Sequence, residues 1–182
     1  GVDAEATDSG YSGLEARNVI LSLVKLHRQT GYEPALDLAG KLVHHVLDVC
    51  KGIGEDGSFG STVSAQPDSD QRSAHFHQHS SLLQAILEFA MVTGNQQLLE
   101  LAHRGYQFGR SKGNLTLGYF PEMIDSPRME HSELCEVADM IVLGLKLTEA
   151  GCGDYWDEVD RWVRNMFAEG QLTDTDWIDR LY

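Results

Sequence analysis

Two short stretches of this chain concentrate side chains able to move protons, bind polar ligands or hold metal ions. In AHFHQHSS, residues 74–81, His75, His77 and His79 alternate. Alternation in an extended segment points all three imidazoles to one side, whereas a helix starting near Ser80 scatters them. Such histidines suit hydrogen bonds to a ligand; a metal site would need them to converge at about 2.1 Å from one ion, and plain loop-lining or capping histidines fit the same spacing. In MEHSELCE, residues 129–136, Glu133 and Cys135 flank a helix start, Ser132 stands where a cap belongs, and Glu136 and Asp139 follow within a turn. A carboxylate placed there can serve as acid or base, because the helix dipole and neighbouring carboxylates push pKa values apart. Acids in a first turn also occur for helix stability alone, and a cysteine beside Leu134 often packs as a small core residue.

Two Gly-rich loops add a second kind of surface. GEDGSFG (54–60) carries Asp56 and Phe59, and LGYFPEMID (117–125) carries Tyr119, Phe120, Glu122 and Asp125. An aromatic ring among glycines and acids offers a face for a sugar to stack on and groups to hold its hydroxyls. For Phe59 and Phe120 a hydrophobic plug beneath a turn is the competing reading.

The elements that must position these groups repeat three times. Each unit has an apolar helix-like run, a break at Thr30-Gly31, Thr93-Gly94 or Ala150-Gly151, and then an amphipathic run; the glycines stand 63 and then 57 residues apart. Ala35, Leu38, Ala39, Leu42, Val43, Val46 and Leu47 mark one face of the first amphipathic run. The face returns as Leu98, Leu99, Leu101, Ala102 and Tyr106, and again as Tyr155, Trp156, Val159, Trp162, Val163, Met166 and Phe167. The first run of each unit, such as Leu82 to Val92 or Val137 to Leu147, leaves almost no polar stripe and so predicts an inner helix covered on most sides. Gly just past a helix end supplies a left-handed cap, and Pro34 suits a first helical turn. The expected fold is all-α, three helical hairpins of inner and outer helices in one domain over 1–182, forming about half of a six-hairpin (α/α)6 toroid. The long connections, 52–74 and 113–131, then present both polar clusters at one end of the inner helices.

Composition narrows the partners. With 14 basic and 28 acidic residues among 182, the formal charge is −14, which repels a phosphate backbone and argues against nucleic acid. No apolar run reaches the roughly 20 residues of a membrane span, and the start GVDAEATD lacks the pattern of a signal peptide, so a soluble chain without a membrane partner is expected, its compartment open. Cys50, Cys135 and Cys152 are an odd set without metal or redox spacing among themselves. The polar lead-in and the final QLTDTDWIDRLY, which looks like the opening of a fourth unit, favour a piece of a longer catalytic domain over a short solenoid that self-associates as a homo-oligomer.

The repeat, including EFAMVTGNQQLLELAHRGYQF, resembles the six-hairpin glycosidase superfamily of (α/α) toroids over nearly the whole chain. Terpene cyclases and prenyltransferases share that toroid and carry turns similar to DGSFG. More locally, Glu133-Leu134-Cys135 after GYFPE resembles the bacterial β-L-arabinofuranosidases that hold a nucleophilic cysteine on zinc. That resemblance implies Glu133 and Cys135 as zinc ligands and Glu122 as acid/base. The expected activity is glycoside hydrolysis on a carbohydrate substrate. Glu122 and Glu133 would be the catalytic carboxylates with Asp56 and Asp125 in reserve, His75, His77 and His79 would hold hydroxyls, and Phe59 or Tyr119 would stack on the ring. A non-catalytic helical-repeat module binding protein or glycan, and an isoprenoid cyclase, are the alternatives.

Overall fold

The computed structural model of the chain describes residues 10–60, 74–124 and 131–171, with side chains from Leu14 onward. Asp125 lies outside the described residues. Six helices form three hairpins: α1 (Gly10–Thr30) with α2 (Glu33–Asp48), α3 (Phe76–Thr93) with α4 (Gln96–Lys112), and α5 (Leu134–Glu149) with α6 (Trp156–Trp162). Each hairpin turns at a glycine in the left-handed region, with φ of 68° at Gly31, 67° at Gly94 and 74° at Gly151, a conformation that a Cβ would strain. Asn95 caps α4 by accepting from the Leu98 N–H at 3.1 Å, and Pro34 sits in the first turn of α2. None of the described helices is long and apolar enough to cross a membrane.

The inner helices α1, α3 and α5 pack side by side, with α3 in the middle, while α2, α4 and α6 lie against α1, α3 and α5. Leu82, Leu83, Ala85, Ile86, Leu87 and Phe89 of α3 are all buried. The inner helices share one direction, since His77 near the start of α3 meets Asp139 near the start of α5, and Glu88 meets Lys146 further along both. Glu88 is only 3 % exposed. It is held by Arg28 of α1 at 2.7 Å and by Lys146 of α5, the compensation that a buried carboxylate requires.

The three helices differ in how far they are covered. Among the described residues only α3 has inner-helix neighbours on both sides; α1 leaves Val19 and Leu26 exposed. In the third outer run the helix widens into a π-helical turn at Val163–Phe167. Trp156 and Val163, which the pattern places on the buried face, are exposed, Trp156 at 60 %, because the aromatic just before each, Tyr155 and Trp162, takes the inward position. The outer layer is tied by Arg110 of α4, whose guanidinium grips Glu158 of α6 through Nε at 2.9 Å and Nη2 at 2.8 Å. Beside it the Tyr155 hydroxyl bonds to His103 and Gln107, both at 2.7 Å.

If α3 is the keystone of this packing, Leu83→Ala should cost about 2–5 kcal/mol in urea unfolding, against less than about 0.5 kcal/mol for Leu38→Ala on the exposed side of α2. Equal losses at the two positions would contradict the layering.

Candidate functional site

Two short strands assemble the polar end of the inner helices. Strand β1 (Ala74–His75) pairs antiparallel with β2 (Met123–Ile124), placing Ala74 opposite Ile124 and His75 opposite Met123. The ladder continues on either side: the Phe76 N–H donates to the Glu122 carbonyl at 2.8 Å, and the Glu122 N–H donates to the His131 carbonyl at 2.8 Å. The Tyr119 hydroxyl reaches the same His131 carbonyl at 3.3 Å. The second loop is thereby stitched both to the start of α3 and to the approach to α5, and Glu122 and Glu133 both come within electrostatic reach of His75. Burial dominates at His75 and pulls its pKa below the ordinary imidazole value, against the raising influence of Glu133 and Glu122.

His77, one residue into α3, turns to the neighbouring inner helix. Its Nδ1 lies 2.8 Å from Oδ2 of Asp139, and the side chain stays 32 % exposed. The hydrogen bond to Asp139 outweighs burial and raises the His77 pKa. Ser80 and Gln84, one and two turns on, donate to the same carboxylate at 2.6 and 2.8 Å. Ser80, Gln84 and Arg17, whose charge is felt by His75, His77 and His79, are site residues that the motif reading did not single out, whereas Asp139 enters that reading only as part of the acidic first turn. The spacing of 77, 80 and 84 is nonetheless a polar stripe at helical period in a run read as apolar all round.

The start of α5 holds a compact anionic group. Glu133 is the N-cap residue, and the two glutamates form a capping box: the Glu133 side chain accepts from the backbone at the third helical position, while Glu136 Oε2 accepts from the Glu133 N–H at 3.1 Å. Cys135 Sγ sits between them, 3.1 Å from Glu133 Oε2 and 3.5 Å from Glu136 Oε2. One ligand atom from each of the three lies within 4.8 Å of the others. Glu136 is fully buried, and its Oε1 has no hydrogen-bond partner among the described residues. Burial pushes its pKa up to about 7, and burial together with the glutamates drives the Cys135 thiol well above its ordinary value. Burial therefore favours the protonated forms of Glu136 and of the Cys135 thiol, or a cation in place of those protons.

The remaining predicted site residues separate. Phe59 is buried, stacked on His79 with ring centroids 5.1 Å apart and edge-on to Phe76 at 5.4 Å; it takes the plug role rather than offering a face to a sugar. His79 is likewise interior, with its Nδ1–H donating to the His75 carbonyl at 2.7 Å, so it presents no surface to a ligand. Asp56 is exposed and organises its own turn, accepting from the Ser58 N–H and hydroxyl at 2.9 and 2.6 Å. That turn is pinned to α4 by Arg104, which donates to the Glu55 carbonyl, and no described contact joins Asp56 to Glu122 or Glu133. Phe120 is buried against Phe76 and Trp162. His75, His77, Tyr119, Glu122, Glu133 and Cys135 retain partial or full exposure around the helix starts. The chain matches no protein-family profile, no curated protein and no solved structure.

The buried His79 gives the site end a pH dependence of known sign. Its pKa falls from 6.5 to about 4 because burial opposes the charged ring. The unfolded chain therefore binds the proton first, and up to about 3 kcal/mol of stability drains away as pH falls from 6.5 towards 4. Urea midpoints measured across that window should decline more steeply in the wild type than in His79→Gln, whatever the lower starting stability of the variant; parallel curves would contradict the assignment.

Proposed function

We propose that this chain is part of a carbohydrate-active (α/α) toroid and takes part in glycoside hydrolysis at the end of the inner helices where β1 and β2 pair. The observation supporting it is that backbone pairing sets Glu122 beside the start of α3 while Glu133 caps α5, and the charges of both are felt at His75, next to the partly exposed His77. Glycoside hydrolysis asks for two carboxyl groups flanking a sugar, one giving a proton to the leaving oxygen and the other attacking the sugar or activating water. Glu122 takes the first role and Glu133 the second. His75, His77 and Tyr119 line the same end and suit hydroxyl contacts, and Asp125, the next residue in sequence after β2, stays in reserve.

The donor set at the start of α5 also fits a divalent cation of zinc type, with Glu133, Cys135 and Glu136 as ligands. Such an ion would hold Cys135 as a thiolate and act as a Lewis acid at that point. Glu133 is then committed as a ligand, and Glu122 alone of the pair is left to exchange protons. The buried, unpartnered Oε1 of Glu136 favours this second arrangement, since a capping box by itself gives that oxygen nothing to bind.

Kinetics on a panel of p-nitrophenyl glycosides, β-L-arabinofuranoside included, test both. Glu122→Gln and Glu133→Gln should each lower kcat by on the order of a hundredfold or more with the circular dichroism unchanged, and unchanged activity would sink the pair. Chelation followed by zinc then assigns Glu133: activity lost and restored makes it a ligand, with Cys135→Ala also losing the metal, whereas full activity without metal makes it the second carboxylate. Monosaccharide binding without turnover of any glycoside would mark a binding module instead.

A further inference from the structure

Asp139 is 8 % exposed in the second turn of α5, and among the described residues every side chain that hydrogen-bonds to its carboxylate comes from one stripe of α3. His77 Nδ1 lies 2.8 Å from Oδ2, Ser80 Oγ lies 2.6 Å from the same oxygen, and Gln84 Nε2 lies 2.8 Å from Oδ1. A carboxylate engaged on both oxygens inside a packed interface is fixed in orientation. An ionised carboxylate can only accept, so the proton of the His77 contact belongs to Nδ1. The imidazole frame then directs Nε2 away from Asp139, and no described residue bonds to it while the side chain remains partly open. Helix packing alone would be served by an apolar pair at 77 and 139; a carboxylate clamped by two donors, Ser80 and Gln84, and holding a single partly exposed imidazole has the architecture by which acid–base and ligand-contact histidines are oriented.

We propose that Asp139 is a positioning residue, clamped by Ser80 and Gln84, that fixes the tautomer and direction of His77 so that Nε2 is the atom contacting a hydroxyl group of the sugar. The sugar half of this inference rests on the carbohydrate reading above; the positioning half does not. The charged and titratable groups facing His77 are Asp139 and Glu136 of α5, Arg17 of α1 and the neighbouring His75 ring, 6.3 Å away between centroids. Arg17 disfavours the imidazolium, Asp139 and Glu136 favour it, and the direct hydrogen bond to Asp139 decides in favour of the imidazolium; the tautomer of the neutral ring follows from the Nδ1–Asp139 geometry.

Long-range ¹H–¹⁵N spectra of the 182-residue chain, with His77 assigned by His77→Gln, read the tautomer directly. The expected result is a protonated Nδ1 in the wild type at neutral and mildly alkaline pH, lost or mixed with the other tautomer in Asp139→Asn. Ser80→Ala, which leaves the Asp139–His77 pair itself in place, should broaden or partly mix the tautomers, and it keeps the test open if Asp139→Asn does not fold. A wild-type His77 carrying its neutral-state proton on Nε2 would overturn the positioning role irrespective of any sugar. Saturation-transfer titration with L-arabinose, D-xylose, D-galactose and D-glucuronate then reads the contact: His77→Gln should weaken the binding sugar about tenfold, the effect of one hydrogen bond of about 1.4 kcal/mol. Asp139→Asn should weaken it by a smaller factor. A sugar bound equally well by wild type and His77→Gln would overturn the contact but leave the carbohydrate reading standing. Failure of all four sugars to bind, with the tautomer as expected, would overturn the contact and count against the carbohydrate reading while upholding the role of Asp139.

Discussion

A carboxylate can be buried between apolar helices only where donors await it, and two such carboxylates set the register of the inner layer. Near the helix starts Asp139 of α5 is received by His77, Ser80 and Gln84 of α3; further along, Glu88 of α3 is received by Arg28 of α1 and Lys146 of α5. Apolar contact between Leu, Ile and Val surfaces is nearly indifferent to a slide of one turn. The polar contacts are not, because a slide of one turn would leave both acids without their partners, at a cost of about 3–5 kcal/mol for each buried charge left unpaired. The hydrophobic effect thus supplies the adhesion of α1, α3 and α5, and the two acids supply the alignment.

Alignment of the helices aligns what they carry at their ends. With α3 and α5 starting at the same level, the strand β1 that leads into α3 lies where β2 can pair with it, and the second loop is drawn across the front of both helices. Glu122 is delivered to His75 by backbone pairing, and Glu133 is delivered by the capping box of α5. The first loop contributes from beneath: Phe59 fills the space between α3 and α4 and stacks on His79, so its aromatic ring supports the site from inside. The same group of contacts both closes the core and places the acids.

Much of this was readable from residue spacing, because its causes are local. The three hairpin glycines take left-handed φ where the breaks in periodicity place them, and Asn95 caps α4 as its residue type suggests. The clustering of polar groups at the inner-helix starts follows from short hairpin turns alternating with long connections. What escaped depends on partners distant in sequence. Ser80, Gln84 and Glu88 read as minor interruptions of an apolar helix until Asp139 and Lys146, about sixty residues away, are known to lie opposite them. His79 shares its spacing with His75 and His77 yet points inward, because the helix begins at Phe76 rather than near Ser80 and rotates it by three residues' worth of turn. Neither the π-helical turn at Val163–Phe167 nor the inward position that Tyr155 and Trp162 take ahead of Trp156 and Val163 has a signal in the periodicity of the run.

The internal salt bridges and hydrogen bonds of the helical scaffold bring Glu122, Glu133 and His77 to one end, where the proposed sugar would lie. The most direct test of the proposed carbohydrate role is a crystal of the chain soaked with a panel of glycosides and monosaccharides. The account predicts ring density between Glu122 and Glu133, with a hydroxyl within hydrogen-bond distance of His77 Nε2. Density seated instead in the apolar hollow of about 660 Å³ lined by Val142, Leu145 and Trp156 would contradict it.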